Sequence, residues 1–356
     1  MFQPGLKGVT AVETKLSNIN GEEGLLTYRG VPVQQLVENY SFEEVAHFLL
    51  HGELPTGEKW VAFNQSLKES RCLPDYMISI LDNLPPELCL MDVLRTTISS
   101  FNTNNIGDNN KIALQLIAIF PSIIAYRYRK MSNLPIVKPD MKLNHIENFI
   151  YMLSGKRNEL NAKILETYFI LTMEHGLNAS TFSARVTIST ESDMVSAITS
   201  ALGTMKGPLH GGAPSGVIDL LEEINTEDRI CEVIHNKLKN KDRIMGFGHR
   251  IYKTTDPRAE SLKNTIIKLN ELPDWMSLAL KTEQETIEIL RKEKPNYKLY
   301  TNVEYYAAAI MKTLELDSTL FTAIFSASRI VGWCAHVIEQ LNNNTIFRPN
   351  AQYVGE

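Results

Sequence analysis

Helical periodicity, repeated along most of the chain and broken by very few runs that read as strands, is the feature that most restricts the fold. Apolar residues recur at three- and four-residue intervals through Leu160 to Glu174, Ser215 to Glu223, Glu227 to Lys239, Arg258 to Leu269, Leu278 to Lys292, Val303 to Leu314 and Ser318 to Leu341. Ser41 and Glu44 make a capping box ahead of Phe42, Val45, Phe48 and Leu49, and Leu54-Pro55 ends that helix. Another helix is expected from about Thr190, with Glu191 and Asp193 in its first turn, to just before Gly207-Pro208. Only the opening differs. Val9 to Ser17 and Leu25 to Tyr28 are short alternating runs around Asn20-Gly21, which predicts a small β-hairpin. The expectation is an all-α protein with a small N-terminal β-hairpin.

The 356 residues, 44% of them hydrophobic, suffice for one large core or two modest ones. Linkers are short. The glycine-proline segment at 207–214 and the turn near Asp317 are the natural internal boundaries. They predict a large helical domain of residues 1–213 and 320–356 and a small one formed by the inserted segment 214–319. A formal net charge of −5 argues against a nucleic-acid binder, so any phosphate recognition must be local. Cys72, Cys89, Cys231 and Cys334 stand far apart with no CxxC spacing, which points to reduced thiols in the cytoplasm rather than to a zinc cluster. Met1 to Gly5 has no apolar run behind a positive charge, so no signal peptide is expected. The most apolar stretch, Ile112 to Tyr126, contains Gln115, Pro121 and Ser122 and is too short to cross a bilayer. It reads as a buried helix kinked at Pro121, with no membrane partner implied.

Three segments between helices carry residues suited to chemistry. In Gly207-Pro208-Leu209-His210-Gly211-Gly212-Ala213 a histidine sits beside glycines that let backbone approach a ligand, although a histidine there can equally be exposed or capping. In Met245-Gly246-Phe247-Gly248-His249-Arg250, continuing to Asp256-Pro257-Arg258, a second glycine-flanked histidine has arginines nearby whose forks suit carboxylates or phosphates; a solvated loop is the alternative. In Thr301-Asn302-Val303-Glu304, Asn302 reads as an N-cap that puts Glu304 in a first turn, as a base or as an ordinary first-turn acid. His175 follows Glu174 at a helix end, and Arg329 interrupts the apolar stretch Phe321 to Val337, where burial would require a partner. His47 and His51 have metal-ligand spacing, but no glutamate accompanies them as in a zinc protease helix, and no metal site is expected. P-loop, Rossmann and Gly-x-Ser-x-Gly motifs are absent from the sequence.

Taken in order, Gly207 to Ala213, Met245 to Arg250 with Asp256-Pro257-Arg258, and Asn302-Val303-Glu304 closely resemble the signature segments of the citrate synthase family. The resemblance extends over essentially the whole chain, including Gly5-Leu6-Lys7-Gly8, Tyr28-Arg29-Gly30, Glu174 to Thr181 and Phe347-Arg348-Pro349, and is of the short bacterial and archaeal type. It implies a cytoplasmic homodimer of two-domain helical subunits in which the small domain closes over the substrates. The activity implied is condensation of acetyl-CoA with oxaloacetate, followed by thioester hydrolysis to citrate and CoA, the entry reaction of the tricarboxylic acid cycle. By resemblance, His210 matches the histidine on the thioester carbonyl, His249 the one that polarises the ketone, and Glu304 the catalytic base. His175, Arg258 and Arg329 match oxaloacetate-binding positions, with Arg348 reaching in from the partner subunit. Gly246, Gly248 and Lys253 fall where the family contacts coenzyme A. No cofactor is implied, since acyl-CoA is a substrate.

Glu304 departs from the family pattern, in which this position is aspartate. One methylene moves the carboxylate by ~1.5 Å if nothing compensates, and such a displacement costs on the order of a hundredfold in rate. Two alternatives share the scaffold. A 2-methylcitrate synthase would use propionyl-CoA, whose added methylene is worth only ~1–3 kcal/mol of discrimination in an apolar pocket. A weakly active paralogue with a binding or regulatory role is the other.

Overall fold

The computed structural model describes residues 2–104, 106–211, 213–249, 251–268, 274–295 and 299–355, the side chains of residues 213–215 and 274 excepted. Strands β1 (Ser17–Asn20), β2 (Leu25–Tyr28) and β3 (Val31–Pro32) form an antiparallel sheet in that order, with Asn20 opposite Leu25 and Tyr28 opposite Val31. The hairpin therefore turns at Asn20-Gly21 as predicted, but its first strand begins only at Ser17. The preceding run from Val9 is drawn away from β2: Lys15 N–H donates to Glu339 near the C-terminal end of the chain (2.8 Å).

The rest is helical: α1 (Val33–Asn39), α2 (Phe42–His51), α3 (Gly57–Glu69), α4 (Asp75–Asn83), α5 (Leu90–Ser99), α6 (Asn109–Met131), α7 (His145–Ser154), α8 (Glu159–Thr172), α9 (Ala179–Ser189), α10 (Met194–Met205), α11 (Ala213–Ile224), α12 (Ile230–Asn240), α13 (Pro257–Ile267), α14 (Asp274–Glu293), α15 (Val303–Thr313) and α16 (Phe321–Asn342). The Ser41–Glu44 capping box starts α2, and Gly52, at φ +85°, ends it in the left-handed conformation. α10 begins later than periodicity suggested. Asp193 is its N-cap, accepting from Ser196 N–H (2.8 Å), and Glu191 lies before the helix at φ +63°. α6 runs on through Pro121 to Met131, so the proline does not end it.

α16 is the axis of the core. It packs against α2, α5, α6, α8, α9 and α10. By length and composition it is apolar enough to cross a membrane, yet nearly all of it is buried inside this fold, as a core helix would be. A satellite core of Leu220, Ile224, Ile230, Val233, Ile234 and Ile289 gathers α11, α12 and α14. The N-terminal ends of α9, α13 and α15 and the middle of α16 supply the polar side chains considered next.

Candidate active site

The glycine-flanked histidine loop and the start of α15 are laid side by side by backbone pairing. Gly248 N–H donates to Tyr300 O (2.8 Å), Asn302 N–H to Gly246 O (2.9 Å), and Asn302 Nδ2 to Gly248 O (3.0 Å). Gly246 has to be glycine: at φ +83° a Cβ would lie 2.7 Å from the Tyr305 ring. Asn302 also caps α15 through Glu304 N–H (3.1 Å), as the sequence predicted.

Asp256 locks this arrangement. It is the N-cap of α13. Its Oδ1 accepts from Arg258 N–H (3.0 Å) and Nε (3.0 Å), and its Oδ2 from Arg258 Nη2 (2.8 Å) and from Val303 N–H at the start of α15 (3.2 Å). One buried carboxylate thus ties together the helix ends bearing Arg258 and Glu304. Burial alone would weaken the hold of Arg258 on its proton, but the bidentate ion pair outweighs it and raises the pKa above the ordinary arginine value.

Both catalytic-type histidines are neutral with assignable tautomers. His249 Nδ1 accepts from Ile251 N–H (3.0 Å) and Tyr252 N–H (3.1 Å), which leaves the proton on Nε2. Burial, then Arg258, lowers its pKa to about 4. Arg258 Nη2 lies 3.4 Å from His249 Nε2. Both are donors, so the pair suits an oxygen that can accept from each. His210 Nε2 lies 2.8 Å from Ser180 Oγ and accepts from Ser180 N–H (3.4 Å), which leaves the proton on Nδ1. The Ser180 hydroxyl also faces Asn178 Oδ1 (2.8 Å) and accepts from Trp333 Nε1 (3.1 Å). Burial, then Arg329, lowers the His210 pKa to about 4.

His175, buried, meets His249 edge-on with ring centroids 5.7 Å apart, and its Nε2 lies 3.1 Å from the Tyr252 hydroxyl. Burial and the two arginines, Arg258 and Arg329, hold it neutral. Arg329, buried in α16, donates from Nε to Thr172 O (2.6 Å) and lies over the Phe325 ring; neither Nη atom has a protein hydrogen-bond partner among the described residues. Glu304 is half-buried, and among the described residues its carboxylate accepts a hydrogen bond only from its own backbone N–H. Desolvation raises its pKa above the ordinary glutamate value despite the opposing pull of Arg258.

Behind His175 lies a buried relay that sequence reading did not find. Glu174 Oε1 accepts from Ser17 Oγ (2.9 Å) and His336 Nε2 (3.1 Å), and His336 Nδ1 accepts from Arg185 Nε (2.9 Å). Arg185 in turn pairs with Glu339 and with Gln340 Oε1 (2.8 Å). Burial opposes the charge on Glu174, but His336 and Arg329 outweigh it and hold the carboxyl below its ordinary value. Ser180, Tyr252 and Glu174 lie close in sequence to segments already singled out, but their partners His210, His175 and His336 lie 30, 77 and 162 residues away, and only Asp256-Pro257, an N-cap followed by proline, left a local signal of its own. His47 and His51 stack at 4.4 Å with His47 Nδ1 on Glu53 O, and no group of three or more potential metal ligands occurs among the described residues.

The structure thus gathers His175, His210, His249, Arg258, Arg329 and Glu304, the last two linked electrostatically to the others. Lys253 is exposed beside them. Arg348 is not in this cluster: it is exposed, bonds only Pro349 O (3.2 Å) among the described residues, and lines a groove of about 1180 Å³ along the C-terminal segment. Gly212 and Arg250 lie outside the described residues.

The family model "Citrate synthase, C-terminal domain" matches residues 5–350. The chain belongs to the citrate synthase family. It is 42% identical to citrate synthase from Thermotoga maritima, with a TM-score of 0.92 over 100% of this chain and 96% of that one. It is 40% identical to 2-methylcitrate synthase from Shewanella oneidensis, covering 99% of this chain and 94% of the relative. A citrate synthase from Thermoplasma acidophilum, solved as a ternary complex with carboxymethyl coenzyme A and oxaloacetate, has a TM-score of 0.90 at 29% identity over 100% of this chain and 97% of that one. As a member of the citrate synthase family the protein is an enzyme of the acyl-transferring condensation type.

Proposed function

We propose that the enzyme condenses acetyl-CoA with oxaloacetate and hydrolyses the resulting thioester to citrate and CoA. The observation that carries this reading is the pairing of two neutral imidazoles of fixed tautomer with a carboxylate whose one hydrogen bond among the described residues comes from its own backbone N–H. Glu304 takes the proton from the acyl α-carbon. His210 Nδ1–H supports the oxygen of the forming enol, and His249 Nε2–H with Arg258 polarises the ketone oxygen. The new carbon–carbon bond joins the acyl α-carbon to the ketone carbon, whose oxygen takes up a proton as alcohol. Water then cleaves the thioester and releases the CoA thiol.

A neutral imidazole suits this work. Its N–H stays in place throughout, and its weak acidity is closer to that of an enol than an imidazolium's would be. Arg258 and Arg329, each with donor atoms left over from its protein contacts, fit the two carboxylates of oxaloacetate, and His175 with Tyr252 flanks them. The ligands named for the Thermoplasma acidophilum complex support the same substrate pair. Gly246, Gly248 and Lys253 are the proposed CoA contacts. The satellite core in α11, α12 and α14 supports segment 214–319 as a small domain that closes over the site. A homodimer would let Arg348 reach the partner's oxaloacetate.

Propionyl-CoA is the second reading, favoured by the 2-methylcitrate synthase relative. Release of free thiol from acetyl-CoA and from propionyl-CoA, each with oxaloacetate, decides between them. A higher kcat/KM with acetyl-CoA is expected; a higher value with propionyl-CoA reassigns the substrate, and no release from either points to a paralogue that has left catalysis.

A further inference from the structure

The β1–β2 hairpin is fastened to both halves of the substrate cluster. At its base, Ser17 Oγ donates to Glu174 Oε1 (2.9 Å), and the Tyr28 hydroxyl accepts from Glu174 N–H (3.2 Å). The same hydroxyl lies within 2.9–3.2 Å of the carbonyls of Ile170, Leu171 and Glu174, one of which takes its proton. Ile19 packs against Gly176 so closely that a Cβ there would lie 3.1 Å from its Cδ1. These contacts hold the segment that carries His175.

At the other end, Gly21 O accepts from Lys253 N–H (2.8 Å). No side chain fits at Gly21: a Cβ would lie 2.3 Å from Ile251 O and 2.8 Å from the carbonyl carbon. Gly24, at φ +67°, would put a Cβ 2.7 Å from Thr254 Cγ2 and 2.9 Å from Thr255 O. Asn20 Oδ1 shapes the turn by accepting from Glu22 and Glu23 N–H, both at 3.2 Å. The docked stretch, 251–255, is the span of chain between His249 and the Asp256–Arg258 pair, and it includes Tyr252.

We propose that this hairpin is a positioning strut for the oxaloacetate half of the site. It fixes the separation between His175 on one side and His249, Tyr252 and Arg258 on the other, and Gly21 is the residue whose missing side chain permits the docking. Its base grips one segment through side chains and its tip grips the other through backbone, so a shift at the tip moves the ketone-binding loop relative to His175. Glu304 is tied to the same loop through Asn302, which bonds Gly246 and Gly248, and through Asp256, so it lies one step further from the strut than His249 and Tyr252 do. The proposal rests on the reading of these residues as the oxaloacetate site.

The test uses the full chain with Gly21→Ala and, as a milder change that leaves the contact surface alone, Asn20→Ala. The KM for oxaloacetate should rise about tenfold in Gly21→Ala and less in Asn20→Ala, and the KM for acyl-CoA by a smaller factor, because the displaced loop carries His249 and Tyr252 and leads into Arg258, whereas of the proposed CoA contacts only Lys253 lies in the docked stretch. Hydrogen exchange at the Lys253 amide should accelerate in both variants. A folded Gly21→Ala enzyme with an unchanged oxaloacetate KM overturns the strut, as does a parallel rise of both KM values with loss of thermal stability. If Gly21→Ala does not fold, Asn20→Ala is judged by the same split. If the wild type releases no thiol, the functional reading fails, and calorimetric oxaloacetate binding to wild type and variants then decides the strut: weaker binding in the variants upholds it, equal or absent binding overturns it.

Discussion

Glu304 differs from the acids around it in how little it accepts. Asp256 takes four hydrogen bonds, two of them from backbone N–H groups, and Glu174 takes Ser17, Gly176 N–H and His336, whereas Glu304 takes only its own backbone N–H among the described residues and keeps its other lone pairs for a proton. Its raised pKa sets the acid side of the rate profile. The histidines, at about 4, are already neutral where Glu304 titrates, so kcat/KM should fall as a single ionisation with a midpoint above 4.5. Glu304→Gln should cut kcat by about a hundredfold or more and remove that ionisation. The same shift has a stability consequence. A folded-state pKa above the unfolded value means that the native state favours the protonated acid; that stabilisation is complete below the unfolded value and lost as pH rises through the folded one. Glu304→Gln should therefore raise Tm relative to wild type at neutral pH, and the difference should vanish below pH 4.5; equal melting temperatures at every pH would refute the desolvation argument. His210, His249 and Glu304 were legible because glycines and an N-cap mark them locally. Ser180, 30 residues from His210, and Tyr252, 77 residues from His175, were not, because their significance lies in contacts that only the fold creates.

Among the elements, helix N-termini do most of the positioning. α9 presents Ser180, α13 presents Arg258, and α15 presents Glu304, each two residues beyond an Asn or Asp cap. This explains why caps were the better guide to the site, while periodicity was the better guide to the fold. α15 and α2 were predictable because cap and apolar stripe agree. No strand forms from Val9 to Leu16, because alternation describes a surface-packed extended segment equally well, and Lys15 N–H in that run bonds Glu339 in α16 rather than β2. The joint between α13 and α15 is the element-scale weak point. Asp256→Asn should leave Arg258 buried without its counter-charge and cost ~3–5 kcal/mol, visible as a lower Tm and a lower denaturation midpoint. It should also raise the KM for oxaloacetate. Unchanged stability would mean that Arg258 finds another acid, for which Glu304 is the nearby candidate.

At the scale of the whole molecule, Arg348 is the residue whose proposed role cannot be met within one chain. It is exposed, its Nη1 bonds only the neighbouring Pro349 carbonyl among the described residues, and it lines the same groove as Arg29, Arg185 and Glu339 rather than the proposed substrate cluster. A two-fold dimer would give each site an arginine from the other subunit, and an isologous contact does this for both sites at once. Subunit mixing tests it directly. Glu304→Gln and Arg348→Ala homodimers should each be poorly active. After dissociation and reassociation, half of the dimers are mixed. In each of these, one site joins an intact Glu304 to the partner's intact Arg348, while the other lacks both. The mixture should recover about a quarter of the wild-type activity per site. If Arg348 serves its own chain's site, every site in the mixture lacks one of the two groups, and no activity returns.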